Sequence, residues 1–349
     1  MKYSKVYIES FGYELPPVVV TTEELEERLK PLYDKLHLPP GQIEAMTGIV
    51  ERRWWEPNFR LSAGAIAAAQ QALDTAGISG AELGALIYGG VNREHLEPAT
   101  ACAVADGIGV SPDAAVYDIC NACLGAVNAM LDIANRIELG QIRAGLVVSC
   151  ETAREINDIM IEQMLENGSV EFFTRGLATL TGGSAAVAVL LTDGSFPKSA
   201  KRRRILGGVN CTAPEHNELC LWGFAPTHKT TLFRQFTSTD SSAVLKHGVA
   251  LGVRTWRRLT EELGWSADMV DRTICHQVGS AHQQTILNSL GIDPEKDFPT
   301  FPFLGNTGTV ALPVTAAIAD ERGELEPGAK AALLGIGSGL NCVMLGCEW

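Results

Sequence analysis

Two stretches of the chain repeat, and together they limit its architecture. Asp118-Ile119-Cys120-Asn121 and Thr273-Ile274-Cys275-His276 each close an apolar run and lead toward a helix; Ile119 and Ile274 lie 155 positions apart. Gly183-Ser184-Ala185-Ala186-Val187 and Gly337-Ser338-Gly339-Leu340-Asn341 each open a strand from a Gly-Ser entrance, 154 positions apart. Two matches at nearly one spacing predict a duplicated unit. The halves would meet near Asp193 to Arg204, giving an N-terminal half over 1–195 and a C-terminal half over 196–349. A third similarity, Tyr88-Gly89-Gly90-Val91-Asn92 with Leu206-Gly207-Gly208-Val209-Asn210, falls at 118 and is read as chance.

Within each half, helical and strand patterns alternate, which defines an α/β class. Helices are predicted over Leu61–Ala76 (stopped by Gly77), Leu124–Leu139 (stopped by Gly140), Val244–Leu263, Ser280–Leu290 and Thr309–Asp320. Strands are predicted over Ala85–Tyr88, Ala114–Ile119, Leu146–Val148, Ala185–Leu191, Val270–Cys275, Ala331–Leu334 and Leu340–Leu345.

Composition narrows the function. A formal charge of −13 argues against nucleic acid as a partner. The uncharged stretch Phe298–Ala319 is broken by Pro299, Pro302 and Pro313, so no membrane span is expected. Nine cysteines, an odd number in a chain of 349 residues, fit reduced thiols in a cytoplasmic protein better than a disulfide framework. The start, Met1 to Glu9, has no apolar signal run.

Asp118-Ile119-Cys120-Asn121-Ala122-Cys123-Leu124-Gly125-Ala126 is the segment richest in chemistry. A strand turns directly into a helix among small residues. A thiol there sits at the positive end of the helix dipole, which favours thiolate, so Cys123 is the candidate nucleophile. Cys120 and Cys123 also form a C-x-x-C, which leaves open a thiol-redox pair or half a metal site; otherwise Cys120 is expected in the core. His276 follows the second apolar run at the matching elbow. It is either a proton carrier or hydrogen-bond donor, or a surface or capping histidine. Asn306, in Gly305-Asn306-Thr307-Gly308, is either a second donor or a turn residue. Gly335 to Gly339 reads as a flexible connector whose N–H groups could help form an oxyanion hole; it does not fit a dinucleotide fingerprint.

In this combination the residues resemble the thiolase superfamily, and most closely its 3-oxoacyl-acyl-carrier-protein synthase III group. Thr47-Gly48-Ile49, Glu51-Arg52-Arg53 and Gly182-Gly183-Ser184-Ala185-Ala186 belong to the same likeness, which covers nearly the whole chain. The resemblance implies a five-layer αβαβα fold of two duplicated halves. It implies a catalytic set of Cys123, His276 and Asn306, with an oxyanion hole from the backbone N–H groups of Cys123 and Gly339. It further implies a homodimer that takes coenzyme A or phosphopantetheine thioesters as substrates, with no bound cofactor or metal.

Two versions of the chemistry follow from the resemblance. In both, an acyl group rests on Cys123 before a carbon–carbon bond forms. Fatty-acid initiating enzymes obtain the carbon nucleophile by decarboxylating malonyl-carrier protein. The branch that condenses two fatty acyl-CoAs head to head, OleA, instead removes a proton, using a Glu in a His-Leu-Glu-Pro-type loop that reaches the partner's site. His95-Leu96-Glu97-Pro98 matches that loop, so Glu97 is the candidate base. Read from the residues alone, Glu97 before Pro98 is instead a first-turn helix carboxylate.

The Asp-Glu-Trp segment of the initiating enzymes is absent, and Val50 stands where they often carry an Arg that contacts CoA. The residues that contact CoA therefore stay unassigned. A cap or insert over about 154–180, rich in apolar residues from Asp158 to Leu180, reads as the roof of an acyl channel or as dimer core. Lys201-Arg202-Arg203-Arg204 reads as a solvated connector or a phosphate contact. Trp54 and Trp55 read as core, interface or entrance residues.

Overall fold

The computed structural model describes residues 1–196, 203–226 and 233–349. The first half runs β1 (Tyr7–Glu14), β2 (Val18–Thr21), α1 (Thr22–Arg28), α2 (Lys30–Leu36), α3 (Gln42–Thr47), β3 (Glu51–Trp54), α4 (Leu61–Ala76), β4 (Ala85–Gly89) and α5 (Thr100–Ile108). It continues with β5 (Ala115–Ile119), α6 (Gly125–Glu138), β6 (Ala144–Glu151), α7 (Arg154–Asn167), α8 (Val170–Leu180) and β7 (Ala185–Thr192). The second half begins with β8 (Arg203–Thr212), β9 (Cys220–Pro226), β10 (Phe233–Thr239), α9 (Ser241–Leu263) and β11 (Arg272–Cys275). It ends with α10 (Ser280–Leu290), α11 (Phe301–Leu304), α12 (Ala311–Glu321), β12 (Lys330–Gly337) and β13 (Asn341–Glu348).

The duplication is plain in the strand order. The first half pairs as β5-β4-β6-β7-β1 and the second as β11-β12-β13-β8. In each, a parallel pair (β4 with β6, β11 with β12) adjoins two antiparallel steps. The counterpart of β5 is reduced to a parallel bridge between Thr273 and Asp297. Tyr7–Arg204 and Ile8–Arg203 pairs join the half-sheets into one nine-stranded sheet.

The structure corrects the register of the repeat. β6 starts at Ala144 and β12 at Lys330, 186 positions apart, and α6 and α12 differ by the same amount, from Gly125 to Ala311. Only the last strands, β7 from Ala185 and β13 from Asn341, keep a spacing of 156. The helical pair α7–α8 lengthens the first half by about thirty positions and causes the change. The Cys120–Cys275 match is therefore out of register. His276 follows β11, the counterpart of β4, and is not the counterpart of the cysteine elbow.

Three cores give the layers. α6 and α12 lie between the half-sheets, where Ile133, Ile137, Val314 and Ile318 meet Val189 of β7 and Val343 of β13. α4 covers the outer face of the first half-sheet with Ala65, Ala68, Ala69 and Ala72. α9 and α10 cover the second, through Leu251, Leu259 and Leu287. The alanine face lets α4 lie close to β1: a Cβ on Gly12 would stand 2.0 Å from the Ala68 carbonyl oxygen. A fourth cluster seats α7 and α8 on α1 and α2, burying Met160, Met164 and Phe173 against Leu25 and Leu29. These side chains are thus core within one chain, not a dimer core.

Of the basic run, Arg203 is not solvated, whereas Arg204 is half-buried with one exposed bond to the Ser4 carbonyl at 3.5 Å. Arg203 is buried in a two-pronged ion pair with Asp320, at 2.6 and 3.3 Å; Lys201 and Arg202 lie outside the described residues.

Candidate active site

The cysteine elbow is built by close backbone approach. After β5 the chain turns through Ala122, at φ 45°, and the Leu124 and Gly125 N–H groups donate to the Asn121 and Ala122 carbonyls at 2.9 and 3.3 Å. The next donor, Ala126 N–H, reaches Thr309 Oγ1 at 2.9 Å, so the second half caps the helix that starts in the first. A Cβ on Gly89 would sit 2.6 Å from the Ala126 nitrogen, and only glycine fits there. Asn341 Nδ2 donates to Asn121 Oδ1 at 3.0 Å, tying the elbow to β13. At the end of β12, a Cβ on Gly337 would lie 3.4 Å from the Cys123 nitrogen.

His276 leaves β11 with its N–H on the Leu334 carbonyl at 2.9 Å, beside that same strand β12. It is buried, not a surface cap, and its Nδ1 has no partner among the described residues. Burial, reinforced by the charge of His282, lowers its pKa to about 3, so the ring is neutral. Gln277 is structural: its Oε1 accepts from the Thr300 and Phe301 N–H groups at 2.7 and 2.9 Å. It thereby fixes the segment that leads to Asn306.

Asn306 is held through its backbone by Thr181 and Gly183, at 2.8 and 2.9 Å. Its Oδ1 accepts from Gly308 N–H at 3.0 Å, which turns Nδ2 outward as a donor. Gly339 lies in the turn between β12 and β13, at φ 136°. The predicted connector is in fact mostly strand: β12 runs through Gly337, which pairs with Asn341.

The cysteine, histidine and asparagine loops thus meet at the carboxyl ends of parallel strands, where open α/β sheets place their ligands. Sequence reasoning missed two residues there. One is Thr309. The other is Glu151, whose buried carboxylate oxygens accept from Val91 and Asn92 N–H at 2.8 and 3.2 Å. Burial drives its pKa up to about 8. The available signal was a carboxylate closing the run Ala144–Cys150, apolar but for Ser149, on a strand buried along its whole length.

Cys123 is half-buried, and desolvation of its sulfur pushes the thiol up to about 12, helped by the charges of Cys220 and Glu151, which works against the expected thiolate. A helix N-terminus contributes about 0.3–1 kcal/mol, which is too little to offset that desolvation. Cys120, expected in the core, is exposed because β5 is an edge strand.

Glu97 stands apart from this cluster. It is exposed, without a hydrogen bond or ion pair among the described residues, next to Leu96, which is 94% exposed. It precedes the N-cap Ala99, and Asp118 of β5 accepts the first α5 donors, Thr100 and Ala101 N–H, both at 2.9 Å. The helix-start role therefore belongs to Asp118. Trp54 and Trp55 are buried core residues whose indole N–H groups donate to Gly182 and Glu151 carbonyls. All nine cysteines are free, and among the described residues no cluster of three or more His, Cys, Asp or Glu could hold a metal ion. No described helix is long and apolar enough to cross a membrane.

Comparison with known proteins places this architecture. Residues 260–349 match the C-terminal family of 3-oxoacyl-[acyl-carrier-protein] synthase III. The chain is 53% identical, over all of both chains, to the acyl-CoA:acyl-CoA alkyltransferase of Shewanella oneidensis. It is 35% identical, again over all of both, to the alkyltransferase of Xanthomonas campestris pv. campestris. A solved serine variant of Xanthomonas campestris OleA, with bound lauric acid and lauroyl-CoA, superposes with a TM-score of 0.91 at 34% identity, covering 99% of this chain and 100% of that one. The chain belongs to the acyl-CoA:acyl-CoA alkyltransferase (OleA) family, a synthase III-like branch of the thiolase superfamily.

Proposed function

We propose that the protein joins two fatty acyl-CoA molecules by Claisen condensation. The observation that carries this reading is the full-length 53% identity to an acyl-CoA:acyl-CoA alkyltransferase. Cys123 attacks the first thioester, its proton passes to the leaving CoA thiolate by way of neutral His276, and the acyl group stays on sulfur. Backbone N–H groups of Cys123 and Gly339 hold the carbonyl oxygen as it gains charge. Glu97 of the partner subunit takes a proton from the α-carbon of the second acyl-CoA. His276 and Asn306 donate to the resulting enolate oxygen, the negative charge that exists only near the transition state. The carbanion attacks the acyl carbon, the Cys123 thiolate leaves and is reprotonated, and a β-keto acyl-CoA is released.

A homodimer completes the site. The open edge β5, with Val116, Tyr117 and Ile119 half-buried, is a surface that a second copy would cover. Glu97 lies beside that edge. Halves 1–195 and 196–349 act as one unit, because cysteine and histidine come from opposite halves. No cofactor is required, since both carbons arrive activated as thioesters. Nine free thiols and CoA substrates suit the cytoplasm.

The test is incubation with myristoyl-CoA alone or with malonyl-carrier protein added. CoA release with a long-chain ketone, formed after thioester hydrolysis and decarboxylation, is expected without the malonyl donor. Product formed only with that donor refutes the reading. Glu97→Gln is expected to acylate Cys123 and not to condense.

A further inference from the structure

Glu151 is a buried carboxyl that the proposed chemistry leaves unused. Both oxygens are taken by the first two free N–H groups of the segment that leads to Glu97, Val91 and Asn92. The fit is close: a Cβ on Gly90 would stand 3.2 Å from Glu151 Oε1. Asn92 is held from two further directions, by Tyr88 Oη, whose one proton is shared between the Asn92 carbonyl at 2.9 Å and the Cys150 carbonyl at 2.6 Å, and by its Oδ1 accepting Thr152 N–H at 3.3 Å. Further along, Glu94 is fixed by Arg60 and the Ser62 N–H at 2.6 and 3.0 Å. Only beyond that does the segment run free, at Leu96 and Glu97. We propose that Glu151 is the positioning residue for the 91–98 segment, so that each subunit's Glu151 sets the base which that subunit lends to its partner. This rests on the cross-subunit reading of Glu97.

The geometry offers one competing role. Glu151 also lies near its own Cys123, and a Cβ on Gly308 would be 3.7 Å from its Cγ. Mixed dimers separate the two. Glu151→Gln replaces one acceptor with a donor facing an N–H. Its homodimer is expected to give a CoA burst within about twofold of wild type, while ketone formation falls ten- to a hundredfold. In a tagged mixed dimer of Cys123→Ala and Glu151→Gln subunits, one site pairs an intact cysteine with a Glu97 whose own Glu151 is intact. That dimer is expected to recover about half of wild-type ketone formation. An inactive mixed dimer, or a fully active Glu151→Gln homodimer, overturns the proposal.

A Cys123→Ala with Glu97→Gln mixed dimer is the control. If it is inactive, the cross-subunit reading of Glu97 fails, whatever Glu151 does. Should Glu151→Gln not fold, Tyr88→Phe, which frees the Asn92 carbonyl from the same clamp, goes through the same mixed dimers with the same expectation.

Discussion

Replacing Asn306 by Asp and by Ala separates its structural bond from its proposed chemical one. Both Asn and Asp offer Oδ1 to Gly308 N–H, now at 3.0 Å, so Asp preserves the loop. Ala loses that bond, at about 1 kcal/mol of stability. The chemistry runs the other way. Ala removes one donor to the enolate, which costs about 10²–10³ in rate, or about 2.7–4 kcal/mol. Asp also sets a carboxylate against the enolate. At ~3 Å and an effective dielectric constant of ~20, that repulsion is about 5 kcal/mol before screening. The Asp variant should therefore melt near wild type yet condense more slowly than Ala. Both should still release one CoA per cysteine in a burst, since acylation needs no enolate. The assay pairs burst amplitude, read with a thiol reagent, with ketone yield by mass spectrometry. An Asp variant that condenses as fast as Ala, or a burst lost in both, would refute this role for the carboxamide.

Three other outcomes are expected. Alkylation of Cys123 by iodoacetamide should rise about tenfold per pH unit from pH 6 to 9 without a plateau, because burial keeps the thiol protonated; a plateau near pH 7 would mean a resting thiolate. Glu151, held at about 8 when folded against ~4.3 unfolded, binds more protons in the native state, so its contribution to stability falls as pH rises between those values, by up to about 1.4 kcal/mol per pH unit. Urea midpoints at pH 7 and 8 should show this fall lost in Glu151→Gln; His276 and His282, lowered to about 3 and about 4, add a slope of the opposite sign only as pH drops through ~6.5, below that window. Arg203→Met should lower the urea midpoint through loss of the charge-assisted bonds that its buried guanidinium makes to Asp320, about 1.5–3 kcal/mol, and an unchanged midpoint would mean that the pair adds nothing to stability.

Much of the fold was legible because glycines and periodicity mark it. α4 and α10 keep the predicted bounds, each stopped by a left-handed glycine, Gly77 or Gly291. Short buried strands carry less information. A short run closing on Ile-Cys fits the ends of β5 and β11 equally well, and nothing in the letters shows that the inserted pair α7–α8 shifts the true register by about thirty positions. Duplication could be inferred from the sequence; which strand matches which required hydrogen-bond partners.

The site divides in the same way. Cys123 and His276 stand out because each follows a strand, and Asn306 because glycines flank its turn at 305 and 308. Thr309 and Glu151 do not, since their roles depend on partners 183 and 60 positions away. The thiol shows why chemistry cannot be read from local context alone. A cysteine before a helix has the same neighbours in sequence whether it is wet or dry, and here the dry environment decides its protonation. On the proposed chemistry, acylation begins from a neutral thiol and a neutral imidazole, so the thiolate forms only with substrate present. The strained turn at Ala122 and the backbone donors near it are useful only at that moment, which explains why the fold surrounds this one cysteine with close-packed glycines.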